Sequence, residues 1–410
     1  MVYLPFAFSA LRASYKTDSG ELAVTACLAE AYAKAGAPPS KAEPLASRGA
    51  GCDWFSCVSS IDPVHPLTWQ SPHDRPLPGP GGRTLVMGVL NVTPDSFSDG
   101  GELPSPQAVV DRAGAMLAAG ADILDLGGES TRPGAASVGA VEECDRVLPA
   151  LAALRQAFPN AAISIDTCKA AVAVPAVKAG ADIVNDIWGA LHGWTAEDRG
   201  SLSRFLAEQA GKLRRRGGSM PALRSESVTN DRTLGDAAEE GERVAAAAQR
   251  GEPSVNWPRS PMAEAVAALR CPVILMHNRP DRDYVDFWSD LLLDLRLSLA
   301  VTQEAGVPAH QIWLDPGFGF AKNPPHNLEV LKHLDRIVAL GFPVLLGASR
   351  KSTIGLVLDA PTNDRLDGTA ATVVWGIQQG CAMVRVHDVA AMLRFVRMAD
   401  AIKAGLDWKS

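Results

Sequence analysis

Eight short apolar runs constrain the fold more than any other feature of this sequence. They are "LVMGVLN" (85–91), "DILDLGG" (122–128), "AISIDT" (162–167), "DIVNDI" (182–187), "PVILMH" (272–277), "IWLDPG" (312–317), "PVLLGAS" (343–349) and "CAMVRVH" (381–387). Each is too short for a helix and too continuously apolar for a half-exposed antiparallel strand, which leaves buried parallel strands. Between them lie Ala-, Leu- and Glu-rich stretches such as "AVVDRAGAMLAAG" and "NLEVLKHLDRIVALG", several ending in glycine as helix C-termini do. Most runs start about 30 to 40 residues apart, the length of one strand-helix unit. Eight such units predict an α/β fold of the (β/α)8 TIM-barrel type. A doubly wound open sheet is the alternative, but the G-x-G-x-x-G expected after its first strand is missing.

Two segments break the rhythm. Residues 1–82 hold one helical stretch, Glu21 to Gly36, followed by Pro-, Gly- and Ser-rich sequence. They read as an N-terminal extension and linker ahead of a barrel over 83–406. About 85 residues separate "DIVNDI" from "PVILMH", more than twice the usual unit. Their charged, Gly- and Ser-containing middle predicts a mobile insertion over about 191–262, after the fourth strand. The basic run Lys212 to Arg216 reads as a solvated patch. No apolar stretch approaches the roughly 18 residues that span a bilayer, so no membrane is expected. The formal net charge of −7 argues against nucleic acid as a partner. Seven scattered cysteines without zinc-ligand spacing read as reduced thiols and predict a cytoplasmic protein. The sparse basic residues Arg12 and Lys16, with no acid before Asp18, make mitochondrial targeting the second reading.

The chemistry of a parallel barrel sits at the C-terminal ends of its strands. Read in order, those ends give Asn91; Asp125 with Glu129, Ser130, Thr131 and Arg132; Asp166; Asn185 and Asp186; His277; Asp315; Ser349 through Ser352; and Arg385, His387 and Asp388. One polar residue closing a strand is ordinarily a cap or turn former. Polar residues closing all eight describe a ring of acceptors and cations around one mouth. Arg132, Lys351, Arg385 and His387, beside Thr131 and Asn91, form an anion site of the kind barrels place after strands seven and eight, able to carry a magnesium ion. Asp166, Asn185 and Asp315 suit a flat heterocycle with several N–H donors in a row. Paired carboxylates also serve acid-base hydrolysis or a metal cage; the adjacent cations favour a phosphorylated, nitrogen-rich substrate. No Ser/His/Asp or Cys/His order stands out.

The motifs "NVTPDSFSDGG", "DLGGESTRPGA", "SIDT", "VND", "LDPGFGFAK", "GASRKSTIG" and "RVHDV" resemble, in the same order, those of dihydropteroate synthase. The resemblance runs from about Thr84 to Ile402, apart from the insertion. It implies a barrel enzyme of folate synthesis, a transferase joining 6-hydroxymethyl-7,8-dihydropterin diphosphate to 4-aminobenzoate with release of diphosphate. It also implies a magnesium ion, small-molecule substrates, a homodimer and sensitivity to sulfonamides. By similarity, Asp166, Asn185, Asp315 and Lys351 hold the pterin, with Met276 and Phe320 as apolar walls. Asn91 positions the metal, while Asn91, Thr131, Arg132, Arg385 and His387 hold the diphosphate. Ser352, Arg350, Phe97 and Pro133 serve the 4-aminobenzoate. Asp166, Lys351 and Asp99 act in catalysis, Asp99 by orienting "GGESTRPGA". The implied mechanism is dissociative: the C–O bond breaks, a pterin methyl cation forms, and the neutral arylamine attacks.

Departures from the family pattern lie at the rim, with Pro280 in "MHNRPDRDY" where glycine is usual and Trp188 in "NDIWGAL" where a small residue is common. The extension and insertion are similar to those of eukaryotic, in particular fungal, forms. Two other functions remain open on sequence: a pterin-binding barrel that transfers a methyl group from a reduced folate, and a non-catalytic paralogue.

Overall fold

A computed structural model describes residues 69–93, 105–130, 137–215 and 259–408. All eight apolar runs form strands: β1 Leu85–Asn91, β2 Ile123–Gly127, β3 Ala162–Asp166, β4 Ile183–Asp186, β5 Val273–Met276, β6 Ile312–Asp315, β7 Leu345–Leu346 and β8 Met383–Val386. They pair in parallel in the order β6-β5-β4-β3-β2-β1-β8-β7. A parallel bridge from Leu314 to Val344 joins the two ends into a ring. The open-sheet alternative is thereby excluded. Among the described residues no helix is long and apolar enough to cross a membrane.

The period-two alternation of a strand decides what each residue faces. On β3, Ile163 and Ile165 pack outward against the helices while Ala162 belongs to the barrel interior. Ser164 and Asp166 share the inward parity of Ala162. The same alternation turns Asp125, Asn185, Asp315 and Arg385 inward above Ile123, Ile183, Trp313 and Met383. The interior is thus apolar at the bottom and polar at the top. Register brings the polar layer together, with Asp166 opposite Asn185 and Met276 opposite Asp315.

Two boundaries differ from the sequence reading. Residues 69–82, expected to be linker, close the bottom of the barrel. Trp69 is buried with its ring edge-on to Trp313, 4.6 Å between centroids. Asp182, fully buried, accepts hydrogen bonds from Ser71 Oγ (2.6 Å), Arg75 Nε (2.8 Å) and the Ile163 amide (3.0 Å), and pairs with Arg155. A linker signal read from Pro and Gly content missed the tryptophan and arginine that make this segment part of the body.

The interval 191–262, expected to be an excursion, is also packed at both ends. Residues Ala196–Arg215 form a helix on which Leu202 is buried in the outer core and Arg199 reaches Asp294. Pro261–Ala268 forms another, capped by Ser260, whose side chain accepts from the Ala263 amide. The rest of the expected insertion, 216–258, lies outside the described residues, as do 1–68 with the leader-like front end.

Candidate active site

The polar layer surrounds one cavity lined by Asp166, Asn185, Asp315, Met276, Phe320, Lys351 and Arg385, together with Ile187, Phe318 and Gly347. All six residues expected to meet the pterin therefore share one wall. Arg385, expected on the diphosphate side, shares it as well.

Arg385 is the hub. Its Nε donates to Asp125 Oδ2 and its Nη2 to Asp166 Oδ2, each at 2.6 Å. Asn185 Nδ2 donates to the same Asp125 oxygen at 3.1 Å, which leaves the amide carbonyl as the acceptor that Asn185 can offer a ligand. Asp125 is fully buried and one of its oxygens has no partner, nor has Asp166 Oδ1. Burial opposes the Arg385 charge, but the two aspartates outweigh it and hold the guanidinium firmly protonated. Burial likewise pushes the Asp166 carboxyl up to about 7, against the pull of Arg385 and with the help of Asp125. Asp315, buried on β6 with the Gly317 amide on Oδ1 at 2.7 Å, rises to about 6 through burial. Lys351 is pushed down to about 8 by burial and by Arg385, with Asp315 and Asp166 opposing. Its Nζ stands 4.0 Å from the centroid of the Phe320 ring.

The rim residues divide. His387 Nδ1 lies 3.1 Å from Ser349 Oγ, and burial together with Arg385 and Arg350 pushes its pKa down to about 3. Burial and the two arginines thus favour the neutral imidazole in the unliganded site, where the sequence reading had placed it among the cations. Arg350, in a left-handed conformation (φ 57°), directs its guanidinium to Asp388 (Nε to Oδ2, 2.8 Å) and lines none of the cavity. Ser352 opens the helix Ser352–Leu358 with an exposed side chain. Asn91 ends β1 with its amide oxygen beside Gly127, where a Cβ would stand 3.2 Å from it and 3.6 Å from Asp166 Oδ2. Phe97, Asp99, Thr131, Arg132 and Pro133 lie outside the described residues.

Sequence reading gave no role to three groups that the structure brings into play. Asp125 was named among the strand ends without a role of its own, although it has the same inward parity as Asp315. Lys169, on Glu129 (2.6 Å) and Glu143 (2.7 Å), ties the stem of "GGESTRPGA" to its neighbours, and no sequence signal announced it. Lys322, 3% exposed, bonds His277; a lysine after an apolar run reads as solvated. Asp186 is a turn former, accepting from the amides of Trp188 (2.8 Å) and Ala190 (2.7 Å).

The sequence profile of the family described as pterin binding enzyme matches residues 87–204 and 233–387. Dihydropteroate synthase of Bacillus subtilis is 42% identical over 320 residues, 78% of this chain and 89% of that protein. A structure of Xanthomonas albilineans dihydropteroate synthase with 4-aminobenzoic acid superposes with a TM-score of 0.59 at 33% identity, covering 78% of this chain and 94% of that one. A structure from the same organism in complex with 7,8-dihydropteroate gives 0.57 at 31% identity over the same shares.

Proposed function

The chain belongs to the pterin binding enzymes and, among them, to the dihydropteroate synthases, and from that membership we infer how its own side chains divide the reaction. The enzyme condenses 6-hydroxymethyl-7,8-dihydropterin diphosphate with 4-aminobenzoate to give 7,8-dihydropteroate and diphosphate. One observation carries the assignment of the deep cavity to the pterin. Three inward acceptors on adjacent and facing strands, Asp166, Asn185 and Asp315, line it opposite the cations Lys351 and Arg385. A pterin offers a row of ring and amino N–H donors to the acceptors and a carbonyl and ring nitrogen to Lys351. Met276 and Phe320 close its two apolar faces.

Diphosphate belongs above this floor, with Asn91, Arg385 and His387, joined by Thr131 and Arg132. Arg385 serves both halves, since two of its nitrogens bind the aspartates and its Nη1 remains for a phosphate oxygen. His387, neutral before substrate arrives, gains a proton readily beside a multiply charged anion. Among the described residues no three His, Cys, Asp or Glu side chains gather as a metal cage. The oxygen donors present still fit magnesium: the Asn91 amide oxygen and the Asp166 side chain both lie beside Gly127, and Asp125 and Asp166 each keep one carboxylate oxygen without a protein partner. Magnesium takes one or two protein oxygens and completes its shell with phosphate and water. Bound there with the diphosphate, the ion would make it a better leaving group.

The chain's own residues then do the rest. Arg385 and His387 neutralise the departing diphosphate. Asp166, ionised once pterin N–H donors replace its lost solvation, faces the cationic pterin methyl carbon as the C–O bond breaks. Lys351 holds the ring in place. Ser352 takes the carboxylate of 4-aminobenzoate at the rim, and Phe97 and Pro133 flank its ring. Arg350 acts through Asp388 rather than on the substrate. The arylamine is neutral and nucleophilic, so positioning replaces a strong general base.

Two further expectations belong here. Leu356, Val357, Trp375, Phe395, Met398 and Ile402 expose apolar side chains along the three last helices, Ser352–Leu358, Leu366–Gln378 and Val389–Ala404, which supports a homodimer through this face. The free thiols Cys144, Cys168, Cys271 and Cys381 support a reducing, cytoplasmic location. Diphosphate release from the pterin diphosphate, followed with and without 4-aminobenzoate, tests the division of the site. Asp315→Asn should weaken pterin capture and leave diphosphate affinity alone, and the reverse result would overturn it.

A further inference from the structure

Outside the lining of the cavity runs a line of polar and charged groups that the reaction does not touch. Lys322 Nζ lies 2.8 Å from His277 Nδ1, 3.2 Å from the Gly317 carbonyl and 3.2 Å from the Phe320 carbonyl. His277 Nε2 lies 3.2 Å from Asp294 Oδ2, and Asp294 in turn faces Arg279 (3.3 Å) and Arg199 (3.4 Å). A carboxylate only accepts, so His277 must carry its proton on Nε2. Nδ1 is then an acceptor. The three N–H bonds of a Lys322 ammonium find three acceptors; burial pushes its pKa down to about 7, with Asp315 and then Asp294 opposing.

Two of those acceptors belong to the loop after β6. Gly317 (φ 65°), Gly319 (φ 86°) and Ala321 (φ 47°) are all left-handed there. Gly317 has no alternative, because a Cβ would stand 2.0 Å from the His277 carbonyl. Ala321 is a non-glycine residue in a conformation that persists only when its surroundings impose it. Lys322 binds the carbonyls on either side of the turn, and the Tyr284 hydroxyl donates to the Ala321 carbonyl at 2.9 Å. The side chain displayed by this turn is Phe320, whose ring lies under Lys351.

We propose that Lys322 is a positioning residue for the pterin: from behind the wall it fixes the strained turn that sets Phe320, and through Phe320 the ammonium of Lys351, against the ring. The proposal rests on the placement of the pterin given above. Lys322 never meets a substrate, so its removal should be read by the pterin alone. The remaining titratable groups around it, Asp315, Lys351, Arg279 and His326, stay in place in the Lys322 and Tyr284 variants below.

The test is steady-state kinetics of the full chain carrying Lys322→Met, which keeps the stem and removes the three donors. KM for the pterin diphosphate should rise about tenfold or more, while kcat and KM for 4-aminobenzoate at saturating pterin stay within about threefold. A merely structural lysine would lower the active fraction, and so kcat, without this split. A folded Lys322→Met enzyme with an unchanged pterin KM, or with both KM values raised alike, overturns the proposal. Tyr284→Phe removes the other tie of the same turn and should raise the pterin KM by about twofold to fourfold. If Lys322→Met does not fold, an unchanged pterin KM in Tyr284→Phe overturns the proposal by itself. Asp315→Asn, run in parallel, separates the two failures: pterin affinity indifferent to Asp315 sinks the placement, whereas sensitivity to Asp315 but not to the turn sinks the role of Lys322.

Discussion

Arg385→Ala should fail in a pH-dependent way, because the arginine is the only described cation bonded to two buried aspartates. In the wild type its guanidinium compensates Asp125 and Asp166 at 2.6 Å each. Removing one partner of a buried ion pair costs about 3–5 kcal/mol, because the other charge is left uncompensated. The sign follows from Asp166, whose pKa is already raised to about 7 and would rise further without the arginine. A carboxyl with a raised folded pKa favours the native state at low pH and loses that contribution as pH climbs through the folded value. The variant should therefore unfold with a deficit of about 3–5 kcal/mol at pH 8. At pH 5.5, where Asp166 carries a proton in variant and wild type alike, the deficit should shrink by roughly 1–2 kcal/mol, on the order of one pKa unit of coupling. Activity should fall about a hundredfold in kcat/KM at pH 8. The sequence alone assigned Arg385 to the diphosphate and left pterin affinity untouched by its loss. The observed bridge to Asp166 predicts that affinity for free hydroxymethylpterin falls as well. Urea titrations at the two pH values, with calorimetry for the pterin, decide it. An equal deficit at both pH values, or undiminished pterin affinity, would refute the coupling.

Three further outcomes are expected. Replacing residues 216–258 by a short Gly-Ser linker should leave cooperative unfolding and near-normal turnover, whereas cutting back to residue 195 removes buried Leu202 and Arg199 and should lower the melting temperature sharply. Trp69→Ala should cost about 3–5 kcal/mol in chemical denaturation with kcat little changed, since the tryptophan lies at the end of the barrel opposite the cavity. Calorimetry should find that 4-aminobenzoate binds at least about tenfold more tightly with pterin and magnesium diphosphate present than without them, with sulfonamides competing for that state; equal affinity would remove the idea that Phe97, Thr131 and Arg132 complete its pocket.

The architecture was legible because parallel strands buried on both faces must be written as apolar runs, and these runs coincide with β1 to β8. Their spacing carried the helices. Asp166, Asn185 and Asp315 were legible for the same reason, each a polar residue at the end of an apolar run. Partnership was not. Nothing in "RVH" says that Arg385 reaches back across the barrel to Asp125 and Asp166, 260 and 219 residues earlier. Burial changes chemistry in ways a string of letters hides, which is why His387 was taken for a cation and Lys322 was given no role. Composition also misled at both boundaries. Proline and glycine around Trp69 looked like linker, and the charged face of Ala196–Arg215 hid the leucine and arginine that dock it. The relatives compared are bacterial and do not bear on the eukaryotic character expected from the extension and insertion.

The paired tryptophans under the barrel have a kinetic consequence. With Trp69, Trp313 and the apolar layer they belong to packed across the lower end, the described interior offers a ligand no passage from below. On the placement proposed above, the pterin lies deeper in the cavity and the arylamine at its lip, so the two cannot arrive in either order with equal ease. A molecule of 4-aminobenzoate seated first obstructs the deeper guest. Departure should follow the same rule in reverse: diphosphate, placed at the rim on the same proposal, leaves ahead of the pteroate whose pterin end is lodged beneath it. A last-in, first-out traffic pattern thus follows from two side chains far from any reacting atom.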